Sequence, residues 1–310
     1  MTASTSITLP PAQAVAPVPD PTMRKRKRGG AGLKPELTPG RVIGTALMWG
    51  VVGLSVLMLI WIITQSLRDT RSILADPFGL PDTLHFENWV TAWTVGDFGL
   101  ATFNSVVTAI VSSVLTVVVA AMAAYYLGRV DNRITRFLSN YFVLGLGIPV
   151  QVILIPLFIM LNAANLTNSL IGLNIVYVGV SMPFTVFLLI AFFRSIPAEV
   201  EEAAAIDGAS AWRTMWTITM PLAKGGILTA FILQVISHWN ETLLAMTLLT
   251  TTNKYTLPIA LISFIQQQTY SGADWGGLFA GICIVVLPML AMYMVVGRRL
   301  TEGLTMGMGK

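Results

Sequence analysis

Apolar residues run through this chain in long blocks, not in the short alternation of a half-buried sheet. Six blocks are long enough for a helix across a bilayer core, which takes about 20 residues. They cover approximately 42–65, 103–127, 137–161, 171–193, 225–249 and 277–296. The third holds Pro149, Gln151 and Pro156, the fourth Pro183 and the sixth Pro288. A proline inside a helix removes one backbone hydrogen bond and can kink it. Membrane bundles tolerate such kinks where neighbours or cavities re-satisfy the backbone. The pattern predicts an all-α membrane protein with six transmembrane helices.

The polar stretches set the domain plan. Residues 1–40 are rich in proline and hold the run Arg24-Lys25-Arg26-Lys27-Arg28 before Gly29-Gly30. They are expected to be a disordered tail, and residues 41–310 the membrane domain. The apolar run from Val42 past Ile60 is too long for the short core of a cleaved signal peptide. Between the first two blocks, Trp89, Trp93, Phe98 and Phe103 lie on a loop long enough for a small folded patch. Their aromatic character also suits a belt at the membrane interface.

Charge sharpens this plan. Lys, Arg, Asp and Glu number 34 in 310 residues, 11%, against about a quarter in a soluble domain. That excludes an ordinary soluble enzyme. With both termini on the cytoplasmic side, 16 of the 19 Lys and Arg residues fall on that side, the asymmetry expected of a multi-pass membrane protein. The basic run then reads as a topology anchor beside the bilayer, with no nucleic acid implied.

Candidate chemistry is sparse. The single cysteine, Cys283, rules out an intrachain disulfide, and a core thiol is the expected reading. His85 and His238 are far apart, and the phosphate-loop, dinucleotide and zinc-hydrolase signatures are absent from the sequence. A lipid phosphotransferase would need several acids converging on a metal. Asp207 instead has only glutamates of its own short segment nearby. An ion-driven transporter would carry buried charges in several spans; here only Glu241 qualifies. Nothing points to an enzyme, and the chain implies no cofactor of its own.

The informative segment is the cytoplasmic stretch of about 197–221. Glu199, Glu201, Glu202 and Asp207 crowd there, following Pro197. The proline suits a first helical turn, the acids complement its positive end, and Ala203, Ala204 and Ala205 favour helix. Gly208 is a helix stop and Ser210 a cap for a second helix. On that second helix Trp212, Met215, Trp216 and Thr219 recur at i, i+3, i+4 and i+7. This face must bury against the base of the membrane domain or against a partner, and spacing does not choose between them.

The order Glu202-Ala203-Ala204, three residues, Gly208, nine residues, Ile218, one residue, Met220-Pro221 resembles the EAA loop of the membrane subunits of binding-protein-dependent ABC importers. Met220 stands where leucine is usual. Phe192-Phe193-Arg194-Ser195-Ile196-Pro197, Ile206-Asp207-Gly208-Ala209-Ser210, Ser237-His238-Trp239-Asn240-Glu241 and the tail with Gly303-Leu304-Thr305, Gly307 and Gly309-Lys310 are similar to the carbohydrate-uptake branch. The likeness covers roughly 41–310, an ABC importer permease domain, and is greatest to the second, six-span subunit of maltose-type sugar importers.

The resemblance implies a non-catalytic permease that imports a sugar, of di- or oligosaccharide size. Its partners would be a second homologous permease, two ATPase subunits that hold ATP and Mg, and an extracytoplasmic sugar-binding protein. A phosphorylated polyol or a peptide is the alternative cargo. The EAA loop would be the coupling helix, with Glu202 pairing a basic ATPase residue and Ala203, Ala204, Asp207, Gly208 and Ala209 shaping the fit. Alternating access would follow from ATP-driven motion of that loop. In the fifth block Gln234, His238, Trp239, Asn240 and Glu241 are the candidate substrate path. Helix–helix hydrogen bonding between the two permeases competes with that reading. At about 1.5 Å per residue, Glu241 would lie roughly 25 Å along the span.

Overall fold

The structure is a computed structural model describing residues 39–307. The proline-rich tail before residue 39, with its basic run, and the closing Gly309-Lys310 lie outside the described residues. In chain order the helices are α1 (Pro39–Gln65), α2 (Thr70–Ala75), α3 (Glu87–Val95), α4 (Phe98–Arg129), α5 (Arg133–Leu146), α6 (Val150–Ala163) and α7 (Leu170–Ser195). They continue as α8 (Glu199–Ile206), α9 (Ala211–Thr214), a π-helical turn (Met215–Thr219), α10 (Met220–Leu222), α11 (Lys224–Asn240), α12 (Leu243–Leu248), α13 (Leu257–Ser271) and α14 (Trp275–Gly307). There is no strand among the described residues.

Residues 1–53 and 54–310 form two units. The described part of the first is the opening of α1, where Leu47, Trp49 and Val51 are exposed. The second unit holds the packed core. Four helical stretches are long and apolar enough to cross a membrane: Val42–Gln65, Phe98–Arg129, Leu170–Ser195 and Trp275–Val295. Pro183 and Pro288 are accommodated within α7 and α14.

Two expected spans are not single helices. The block at 137–161 breaks between α5 and α6, which are bent by 104°. Gly147 caps α5, and Pro149 forces Ile148 away from helical geometry. The block at 225–249 also divides: α11 ends at Asn240, Glu241 and Thr242 intervene, and α12 follows. At its other end, Ala211–Leu222 meets Lys224–Asn240 at 75°. Hydropathy registers the apolar content of these segments but not a change of direction inside them.

The core is built on α4 and α7. At one end of the pair, Val117, Ala120, Ala121 and Ala124 of α4 meet Val186, Leu189, Ile190 and Phe193 of α7. At the start of α4, Phe98 and Ala101 join Trp239, Leu257, Phe264 and Leu278. Small residues along α4, including Ser105, Thr108, Ser112 and Ser113, are buried. Small side chains let membrane helices approach closely, because association there rests on packing and hydrogen bonds. Gly226 serves the same end between α11 and α7: a Cβ there would run into the Phe192 ring.

The 66–102 loop is a folded patch. Arg68 is buried and donates to Gln65 Oε1 (3.0 Å), the Asp76 carbonyl (2.8 Å) and the Ser72 carbonyl (2.8 Å). Asn88 donates to the carbonyls of Ser66 and Arg68. Asp69 caps α2 by accepting from the Ser72 N–H, which holds its carboxyl below the usual range. The aromatics do not act as one belt: Phe98 is fully buried, whereas Trp93 and Phe103 are exposed. The 250–276 loop also contains an unforeseen helix, α13, whose Leu257, Ala260 and Phe264 enter the core. Cys283 is a buried free thiol.

Candidate functional site

The acidic loop folds as two helical pieces joined at a glycine. Glu199, Glu201 and Glu202 fall in the first turn of α8, where the helix end carries partial positive charge. Asp207 caps its other end. The Ala209 N–H reaches the Ala204 carbonyl (2.9 Å) and the Gly208 N–H reaches that of Ala205 (3.0 Å). These two bonds form a Schellman closure, which needs a left-handed residue; Gly208 supplies it at φ 78°. Ser210 then caps α9 by accepting from the Arg213 N–H.

One side of this loop is open. Glu202, Ala203, Asp207 and Gly208 are exposed, and Ile206 is 87% exposed. Trp212, 64% exposed, meets Trp216 edge-on at 5.7 Å. Ala209 is half-buried and Ala204 is buried, on the side of the bundle. The i, i+3, i+4, i+7 group therefore divides. Met215 and Thr219 are buried while the two tryptophans are outside. The π-helical turn takes an extra residue per turn, which rotates Thr219 away from the tryptophan pair.

Glu201, next to Glu202, turns inward. Its Oε1 accepts from Arg129 Nε (2.9 Å) and Thr219 Oγ1 (2.9 Å), and its Oε2 from the Tyr125 hydroxyl (3.3 Å). Arg129 also donates through Nη1 to the Ile196 carbonyl (2.9 Å), at the end of α7. The Arg129 and Glu201 side chains are only 15% and 19% exposed. Sequence reasoning missed this pairing. Arg129 sits 72 residues from Glu201 and looks like any basic residue at the end of a span.

The second candidate group lies on α11 and behind it. His238 is buried between two hydroxyls, with Nδ1 3.1 Å from Ser113 Oγ and Nε2 2.9 Å from Ser181 Oγ. Its ring stacks on Tyr177 at 4.9 Å. Gln234 Nε2 donates to Thr185 Oγ1 (2.8 Å), and Ser112 Oγ to Asn174 Oδ1 (2.8 Å). These bonds join α4, α7 and α11 within one chain, where a contact between two subunits was the competing expectation. Trp239 is buried among Phe98, Leu257 and Phe264. Among the described residues, Gln234 Oε1 and Trp239 Nε1 are buried without a hydrogen-bond partner. Asn240 is exposed and donates to the Ile236 carbonyl.

Glu241 explains the break after α11. Its carboxylate accepts from the N–H groups of Leu244 (2.7 Å) and Ala245 (3.1 Å) and from the Tyr177 hydroxyl (2.8 Å). It therefore caps α12 and ties that short helix to α7.

Known proteins resemble this chain in sequence and in fold. Residues 117–300 match the family described as binding-protein-dependent transport system inner membrane component. A diacetylchitobiose uptake system permease protein of Streptomyces coelicolor is 35% identical over 261 residues, 84% of this chain and 85% of that one. A trehalose transport system permease protein of Mycobacterium tuberculosis is 33% identical, over 83% of this chain and 93% of its own. Among solved structures, a chain of a bacterial ABC transporter involved in import of the acidic polysaccharide alginate superposes with a TM-score of 0.70 at 23% identity. The match covers 83% of this chain and 95% of that one.

Proposed function

This chain belongs to the family of binding-protein-dependent transport system inner membrane components, and from that premise we propose that it is a permease subunit of a sugar-importing ABC transporter. The four long helices, the bent α5–α6 pair and the divided 225–249 block give six spans with both termini cytoplasmic; the uneven distribution of Lys and Arg supports this orientation. A second, homologous permease completes the path. An extracytoplasmic binding protein delivers the sugar, and two ATPase subunits bind ATP and Mg and hydrolyse the nucleotide. The chain itself contributes no catalytic group.

The observation that carries this reading is the loop from α8 to α9. It presents exposed Glu202, Ala203, Asp207 and Gly208 beside the exposed Trp212–Trp216 pair. An acidic, low-relief surface bounded by aromatic rings suits a cleft lined by basic and apolar side chains on an ATPase subunit. Glu202 is the ion-pairing residue of this contact. Ala204 and Ala209 set the height of the helix from beneath.

For the cargo we infer a di- or oligosaccharide, supported by the diacetylchitobiose and trehalose systems of the relatives. The path runs past the α11–α12 break. Exposed Asn240 lies at that break, with Gln234, His238, Trp239 and Glu241 forming the wall behind it.

Two experiments test the proposal. Glu202→Lys and Gly208→Pro should insert into the membrane normally and abolish uptake; normal uptake by both variants would overturn the coupling assignment. A thermal-shift screen of the cognate binding protein should find a sugar ligand. An amino acid or peptide ligand in its place would remove the carbohydrate assignment.

A further inference from the structure

We propose that the Glu201–Arg129 pair is the joint through which the coupling loop moves α4 and α7, with Glu201 as a positioning residue for transport. The inference rests on the coupling role of α8 proposed above and asks where motion goes after it enters α8. Glu201 and Glu202 are adjacent, so about 100° of helix rotation separates them. One carboxylate is exposed and the other turns into the bundle.

Four elements, α8 among them, meet at the Glu201–Arg129 pair. Arg129 brings the end of α4, Thr219 the π-helical turn and Tyr125 the preceding turn of α4. The same guanidinium holds the end of α7 through the Ile196 carbonyl. A displacement of α8 therefore pulls on α4 and α7 through charge-assisted bonds, which are shorter and stronger than neutral ones. The covalent route from α8 reaches α7 through residues 196–198 and runs onward across the left-handed turn at Gly208, but α4 is joined to α8, among the described residues, only by these side-chain bonds. The site is also costly to leave half-made, because a shielded charge that loses its partner is strongly destabilising. In a chain with 34 charges, an ion pair this shielded at the junction of these helices has a mechanical use.

The test uses the complete complex of both permeases, ATPase subunits and binding protein in proteoliposomes. The readout is ATP hydrolysis with binding protein divided by hydrolysis without it, alongside co-purification of the ATPase. Glu201→Gln keeps the shape and the hydrogen-bond acceptor and removes the charge. It should retain the ATPase subunits and lower the ratio at least fivefold. Arg129→Gln should act alike, and the double variant should be no worse than either single one, since residues of one unit are non-additive. Unchanged ratios, additive losses, or loss of co-purification in Glu201→Gln would each overturn the joint. If Glu201→Gln does not accumulate, Thr219→Val and Tyr125→Phe each remove one donor and should lower the ratio about twofold; no change in both would overturn it equally. Glu202→Lys separates the two readings. If it couples normally, the α8 contact falls. If it uncouples while Glu201→Gln does not, only the joint falls.

Discussion

Glu201 and Glu241 are both acids at a place where the chain leaves one helix and enters another, yet their oxygens are used differently. Glu241 bonds mainly to the backbone just ahead of it, at Leu244 and Ala245, and across to Tyr177 of α7. It fixes a break. Glu201 bonds to groups far along the chain, Tyr125, Arg129 and Thr219, that belong to other elements. It fixes a relation between helices. A locally used carboxylate makes a bend rigid. A distantly used one makes separate helices move together.

The sharpest way to break this contrast is to delete a charge at each place. Arg129→Ala leaves Glu201 shielded and unpaired, so a loss of about 3 kcal/mol is expected, toward the low end because each side chain keeps some exposure. Thermal unfolding of the purified protein in detergent would register it as poor yield and a lowered midpoint. Glu241→Ala removes one acceptor from a tyrosine hydroxyl and two backbone N–H groups, and about 2 kcal/mol is expected. The same melting measurement should register it; a loss as large as that of Arg129→Ala would erase the contrast. The smallest effect is expected at Gly208→Ala. The added Cβ meets nothing within 4 Å, so only the left-handed backbone at φ 78° resists it, costing about 1 kcal/mol. A much larger loss of coupling than of stability there would show that the partner approaches the glycine closely.

How far the sequence reaches is best seen element by element. The acids of α8, its glycine stop and the Ser210 cap were legible, because each depends on a few adjacent residues, whereas Pro197 lies just before α8 and not in its first turn. The four long helices were legible because apolar length is a composition property. The bend between α5 and α6 was only half legible. Pro149 marked a kink, whereas a 104° turn depends on what the two pieces pack against. The division of the Trp212, Met215, Trp216 and Thr219 face was hidden, because it depends on a π-helical turn that spacing rules do not anticipate. Gln234, His238 and Trp239 were found as polar or aromatic residues within an apolar block. Their partners on α4 and α7 lie dozens of residues away and leave no local trace.

By itself, then, the sequence determined that the chain is a helical membrane protein and which loop bears the acids. These follow from summed transfer free energies and short-range backbone preferences, which are nearly additive along a chain. Only the tertiary structure decided which of two neighbouring glutamates, Glu201 or Glu202, turns into the bundle and which is left exposed. One residue of offset is about 100° on a helix, and only the position of Arg129, at the end of α4, tells those two directions apart.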